Sequence, residues 1–216
     1  MDSGYNAHMT KRVYLVRHGQ SESNVSGIAE GAECPLTPEG ERQAAALADR
    51  FSRIDIDVII ASPYVRTKET ARIVNEVLKK PLEYNDLFIE KRNPSEDIGK
   101  KIYNLEDTLA SRHFTDPHWK KSDEDNFSEI KARALAALIY LIERPEETVL
   151  VVTHGWFLRV LIATQLLGDA LTVEEYAKIW RYFWTKNTGI TLVEYDPHNL
   201  NRGWRLITWN DHAHLG

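Results

Sequence analysis

The stretch Val13-Tyr14-Leu15-Val16-Arg17-His18-Gly19-Gln20-Ser21-Glu22-Ser23-Asn24 decides the fold. Its apolar run reads as a buried strand, with 11–16 as its extent. A guanidinium and an imidazole stand at the end of that strand, followed by a glycine and small polar groups. A phosphate anion needs such a site, because Arg offers a planar fork of donors and Gly lets the backbone come close. A second run ends the same way, at Val149-Leu150-Val151-Val152-Thr153-His154-Gly155. Two histidines at strand ends, with Arg66 as a further cation, make a candidate phosphoryl-transfer centre.

Outward from that strand, strands and helices alternate. Thr37-Pro38 reads as an N-cap with proline at the first helical position, and Ala44, Leu47, Ala48 and Phe51 repeat at helical spacing. The run 57–62 is a second strand, Ser62-Pro63 turns the chain, and a helix follows with Thr70, Ala71, Val74 and Leu78 on one face. A weaker third strand covers 81–84. The apolar periodicity then dissolves over about 90–126, which is expected to be an inserted cap over the site. A strong amphipathic helix covers 128–143, with Ile130, Ala134, Leu135, Leu138 and Ile142 inward. After the strand at 148–153 come a helix from Phe157 to Leu167 with Gly168 at its end, a helix capped by Thr172 and running to about Trp184, and two late strands at 189–195 and 204–209. This order predicts an α/β three-layer sandwich, a mostly parallel sheet with helices on both faces. In such sheets ligands bind beyond the carboxyl ends of the strands, where Arg17-His18, Ser62 with Arg66, and His154-Gly155 all fall.

Whole-chain properties narrow the function. The chain has 216 residues, 43% hydrophobic and 27% charged, with a net charge of −5 and a pI near 5.9. No global basic excess points to nucleic acid, so an anionic substrate needs a local cluster of cations. A single cysteine, Cys34, excludes an internal disulfide framework and a Cys-based zinc site, and fits a reducing cytoplasm. No stretch approaches a membrane span. Residues 1–8 lack the apolar core of a signal peptide and read as a cloning remnant or short tail before Met9. One domain is expected over 9–216, since no repeat or linker breaks the pattern. His113, His118, His198, His212 and His214 show no metal-ligand spacing, and His212 and His214 read as exposed. Trp180, Trp184, Trp204 and Trp209 read as packing residues, whereas Trp156, beside His154-Gly155, is expected to line the pocket.

Four ordered motifs together resemble the histidine phosphatase superfamily, which includes the cofactor-dependent phosphoglycerate mutases. They are Leu15 to Asn24 as quoted, Pro35-Leu36-Thr37-Pro38-Glu39-Gly40, Ala61-Ser62-Pro63-Tyr64-Val65-Arg66-Thr67-Lys68-Glu69-Thr70-Ala71, and Val152-Thr153-His154-Gly155. The resemblance implies that His18 is a nucleophile that forms a phosphohistidine, its other ring nitrogen held by a hydrogen bond. It implies that Arg17 and Arg66 clamp the phosphoryl oxygens, that Asn24 donates to them, and that His154 stabilises the transferring group. Gly155 and the helix after it would add an N-terminal dipole to the same pocket. A general acid is still needed. Asp86, Glu90, Glu96 and Asp97 lie in the right region, and Glu90, which closes Leu87-Phe88-Ile89, matches the family's acid best.

These residues imply a phosphomonoester hydrolase that takes a small-molecule phosphate ester, with no metal and no cofactor. A mutase of the same fold is the first alternative, and a non-catalytic phosphate- or phosphoprotein-binding module the second. Lys91, Arg92, Lys100, Lys101 and Arg112 in the cap fit either a substrate with extra negative charge or a solvated surface. Nucleic acid and membranes are not expected as partners, and a homodimer is the self-association to test.

Overall fold

The computed structural model describes residues 10–29, 31–101, 112, 114–198 and 203–216. His113, Met9 and the middle of the expected cap therefore lie outside the described residues. The elements are β1 (Lys11–Arg17), α1 (Glu22–Ser26), α2 (Pro38–Phe51), β2 (Val58–Ala61), α3 (Val65–Leu78), β3 (Leu82–Tyr84), α4 (Phe127–Glu143), β4 (Thr148–Thr153), α5 (Gly155–Leu167), α6 (Val173–Tyr182), β5 (Ile190–Tyr195) and β6 (Trp204–Asp211).

Six strands form one sheet in the order β3-β2-β4-β1-β5-β6. The β1–β4, β2–β4 and β2–β3 pairs are parallel, and β5 and β6 add antiparallel at one side. The fold is thus the expected α/β sandwich with a mostly parallel sheet. Alternation along the strands divides the core in two. Val13, Leu15, Val58, Ile60, Val149 and Val151 face α4, α5 and α6. Val16, Ile59, Ala61, Leu150 and Val152 face Leu47, Phe51 and Val74 of α2 and α3. β1, β2 and β4 are buried on both faces, which is why each reads as an unbroken apolar run.

The register sets the site. Arg17 lies opposite Thr153, and Val16 and Ala61 both lie opposite Val152. The carboxyl ends of β1, β2 and β4 therefore finish level, and the next residues, His18, Ser62 and His154, emerge side by side.

Helix signals in the sequence behave as their chemistry dictates. Thr37 Oγ1 accepts from Gly40 N at 3.1 Å ahead of Pro38. Thr172 and Glu175 form a reciprocal capping box on α6, and Asn126 and Glu129 do the same on α4. Three expectations change. The short helix α1 is absent from the sequence reading. α5 begins at Gly155, with His154 as its N-cap, two residues before the expected start. α6 stops at Tyr182, because Phe183 turns to extended backbone. Trp184 consequently leaves the helix and is 71% exposed, against the packing role expected of it. His214 is half-buried and bonded to Thr188 Oγ1 at 3.0 Å, and His212 bonds Asn210 O, so neither is the free surface residue expected.

Candidate active site

His18 is 3% exposed. Its backbone N donates to Thr153 O at 2.9 Å, extending the β1–β4 ladder one step past the strand. Gly19 N donates to Thr70 Oγ1 of α3. A Cβ on Gly19 would stand 2.5 Å from Gly40 O, and one on Gly40 would stand 2.0 Å from Gln20 O. These two glycines let the loop after β1 press on the first turn of α2. The imidazole is thereby fixed. Nδ1 lies 2.7 Å from Gly19 O, and Arg66 Nε donates to Nε2 at 3.3 Å. A carbonyl can only accept, so the network assigns the proton to Nδ1 and the lone pair to Nε2. Burial first, then the Arg66 and Arg17 charges, hold His18 well below the usual imidazole range, so it is neutral at physiological pH.

His154 follows β4 and is fully buried. Its Nε2 lies 2.8 Å from Ser62 Oγ, and its ring packs 5.3 Å from that of His18 and 5.1 Å from that of Tyr64. Nδ1 is buried with no hydrogen-bond partner among the described residues. Burial, then the Arg66 charge, keeps this imidazole neutral as well.

The two arginines come from different elements. Arg66, in the first turn of α3, is 6% exposed, donates to Gly31 O at 3.0 Å and lies over the Tyr64 ring. Arg17 Nη1 donates to Thr185 O at 2.8 Å, while Arg17 Nε is buried with no partner among the described residues. Desolvation lowers the Arg17 pKa to about 10, opposed by the nearby Glu90 charge, and the guanidinium stays charged at neutral pH. A Cβ on Gly155 would lie 3.2 Å from Arg17 Nε and 3.0 Å from Thr185 Oγ1, so glycine there leaves room for the guanidinium.

Of the four candidate acids, Glu90 faces this centre. Its Oε2 accepts from Trp156 N at 3.1 Å, and its Oε1 accepts from Phe157 N at 2.9 Å and Lys91 N at 3.0 Å. The N-terminal amides of α5 therefore hold the Glu90 carboxylate, rather than offering those donors to a phosphate directly. Asp97 is bound to Lys100 and Lys121, Glu96 to Ser122, and Asp86 is exposed. Asn24 caps α1, its Oδ1 accepting from Ser21 N and from Asn187 Nδ2. With its oxygen so occupied, the NH₂ end is left to donate. Trp156 stacks on Phe114 and packs on Tyr176 and Trp180, with Lys91 Nζ 5.7 Å from its ring centroid.

The segment before β5 was missed entirely. Thr185 O holds Arg17, Thr188 N donates to Arg17 O at 2.9 Å, and Asn187 Nδ2 donates to His18 O at 3.0 Å as well as to Asn24. Thr188 adopts φ +56, a left-handed conformation uncommon for a β-branched residue. Asn-Thr-Gly reads locally as a turn, and no local signal says that it clasps a loop 169 residues away. Ser62 reads as a turn residue at the end of the second strand, and no local signal pairs it with His154.

Among the described residues no group of three or more His, Cys, Asp or Glu is placed to hold a metal, and no helix is long and apolar enough to cross a membrane.

Two buried imidazoles face two arginines at the ends of parallel strands, and this is the arrangement of an enzyme class that works on phosphoryl groups. Residues 13–212 match the model of the histidine phosphatase superfamily, branch 1, and the chain belongs to that family. It is 30% identical over 218 residues to a probable phosphoglycerate mutase, GpmB, of Enterobacter sp. (strain 638), covering 94% of each chain. Among solved structures it is similar to Bacillus stearothermophilus YhfR, with a TM-score of 0.81 and 27% identity over 95% of this chain and all of that one. A mycobacterial glucosyl-3-phosphoglycerate phosphatase shares the fold, with a TM-score of 0.75 and 21% identity over 94% of this chain and 99% of that one.

Proposed function

We propose that this protein is a phosphomonoester hydrolase that works through a phosphohistidine at His18, on a small phosphorylated metabolite, in the cytoplasm and without a metal or other cofactor. The observation that carries this reading is the fixed pose of His18, with Nδ1 tied to Gly19 O and the Nε2 lone pair facing Arg66. Nε2 attacks phosphorus while the ester P–O bond breaks, and the leaving oxygen takes a proton from Glu90. Water then attacks the phosphohistidine, gives its proton to Glu90, and the P–N bond breaks to return neutral His18 and free phosphate. Arg17, Arg66, His154, Asn24 and the Gly155 backbone hold the phosphoryl oxygens through both steps. The ligand is a small phosphate ester rather than nucleic acid or a membrane, in keeping with a net charge of −5. A homodimer is read by sedimentation.

The names of curated relatives favour a second reading, a mutase that returns the phosphoryl group to another hydroxyl. Against it, Trp156 offers one donor and a large apolar face where the mutases carry a small amide after the second histidine and its glycine. A mutase must also shield its intermediate from water by closing over a matched acceptor. Incubation with 3-phosphoglycerate, with and without a bisphosphoglycerate primer, separates the two. Hydrolysis predicts free phosphate that persists in chelator. Fast interconversion of 2- and 3-phosphoglycerate with negligible phosphate release would establish the mutase.

A further inference from the structure

Tyr64 joins the phosphoryl end of the site to the cap. It stands at the start of α3, where its backbone O accepts from Thr67 N, Thr67 Oγ1 and Lys68 N. Its N donates to Ser62 Oγ at 3.4 Å, the same hydroxyl that meets His154. Its ring lies 5.1 Å from the His154 ring, and the Arg66 guanidinium stands 5.1 Å from its centroid. Backbone and ring are thus fixed by the catalytic centre. The hydroxyl is not, for Tyr64 Oη has no hydrogen-bond partner among the described residues. Burial, opposed by the Arg66 charge and aided by that of Glu90, raises the phenol above its usual range. It therefore carries its proton at neutral pH and can donate it.

Tyr64 lines a cleft of about 340 Å³ that opens from Arg66 and Glu90. Such a volume suits a small metabolite. The charges that reach its hydroxyl come from both ends, Arg66 and Glu90 at the phosphoryl end and Arg133 and Asp125 at the cap. The polar side chains around it already have protein partners. Two arms of the cap, 91–97 and 121–125, are joined by a ladder of ionic and polar rungs. Lys91 Nζ donates to Glu124 Oε2 at 2.8 Å. Arg92 holds Asp125 through its backbone N at 3.0 Å and its Nε at 2.7 Å, and Arg133 joins the same carboxylate. Ser95 N and Oγ both donate to Asp123, and Lys121 donates to both oxygens of Asp97. Glu90 is held by the first amides of α5. The phenol is a rigid donor in this wall that no protein group uses.

We propose that Tyr64 is a substrate-binding residue whose phenol donates to an oxygen carried by the leaving group close to the ester bond, so that the enzyme selects esters of oxygenated alcohols over plain alkyl phosphates. This inference rests on the hydrolase reading. Glu90 gives its proton to the ester oxygen, and Tyr64 lines the cleft with it, so the phenol meets the atoms next beyond that oxygen. An oxygen there completes the unused donor, whereas a methylene leaves it unmet.

Ethylene glycol monophosphate and propyl phosphate make a matched pair of equal charge and similar shape, differing at one end by an OH in place of a CH₃. Phosphate release should favour the glycol ester by ~10-fold in kcat/KM, expressed mainly in KM, the scale of one hydrogen bond to a donor otherwise left unmet. Tyr64→Phe keeps the ring against Arg66 and His154 and removes only the donor. It should bring the ratio close to one, with the loss falling on the glycol ester. Equal release from the two esters by the parent enzyme would overturn the inference and leave the hydrolase reading standing. So would an unchanged ratio in Tyr64→Phe, or hydrolysis of an aryl phosphate with neither of the pair turned over. An equal loss on both esters in Tyr64→Phe would put the phenol on the phosphoryl group and overturn the inference as well. Isomerisation of 3-phosphoglycerate without phosphate release, or no hydrolysis of any ester, would overturn the hydrolase reading and this inference with it.

Discussion

At the phosphoryl end of the cleft, Arg17 Nε and His154 Nδ1 are buried without a hydrogen-bond partner among the described residues, whereas at the cap end Lys91, Arg92, Lys100 and Lys121 each hold a carboxylate. Unpaired buried donors cost stability, and such groups persist where a ligand completes them. The sheet supplies that rigidity, because β1, β2 and β4 end level and the 185–188 segment clasps the first of them. The cap instead spends its charges on its own shape. One end is therefore built to meet an anion, while the other pairs its charges within the cap.

Breaking the cap ladder should give the largest effect. Glu124→Gln leaves Lys91 buried without its partner and should lower stability by about 3–5 kcal/mol in chemical denaturation, while Lys91→Met with Glu124→Leu should recover most of that. A single variant as stable as the parent would show that the pair is not holding the cap.

At the other end, Arg66→Ala should reduce turnover of alkyl and aryl phosphates alike, by ~10²–10³-fold, since Arg66 acts on the phosphoryl group. Glu90→Gln should be selective, slowing alkyl phosphates ~10²-fold and the phosphorylation step of a good aryl leaving group much less. Equal sensitivity of both substrates would show that Glu90 is not the acid.

A further effect is one of pH. His18 and His154 are both held below the usual imidazole range by burial, with neighbouring arginine charges second. Below pH ~6.5 the unfolded chain takes up protons that the folded one refuses. Stability is thus fully present above that pH and falls as pH drops, by up to ~1.4 kcal/mol per unit for each histidine. Denaturation midpoints between pH 7.5 and 5 should show this slope, and His154→Gln should remove about half of it. A flat profile would mean that these imidazoles are not held neutral.

The site's cationic half was legible because its chemistry is local: an apolar strand, then Arg-His-Gly or His-Gly, then a turn. The sheet was legible for the same reason, since doubly buried strands read as unbroken apolar runs. The supports were not. Ser62 meets His154 across 92 positions, Asn187 meets His18 across 169, and the ladder joins residues 24 to 33 apart. Each partner alone looks like a turn residue or a solvated charge. Trp184 shows the converse error, for an aromatic in a helical pattern reads as packed until Phe183 turns the chain away.

The most direct test of the account is the intermediate. A phosphate ester labelled in its phosphoryl group is mixed with the enzyme, the reaction is quenched within the first turnovers, and the label on the protein is followed. The account predicts a label at His18 that survives base, is lost in acid, and is absent from His18→Ala along with turnover. A label stable to acid, or a folded His18→Ala protein that still turns over, would contradict it.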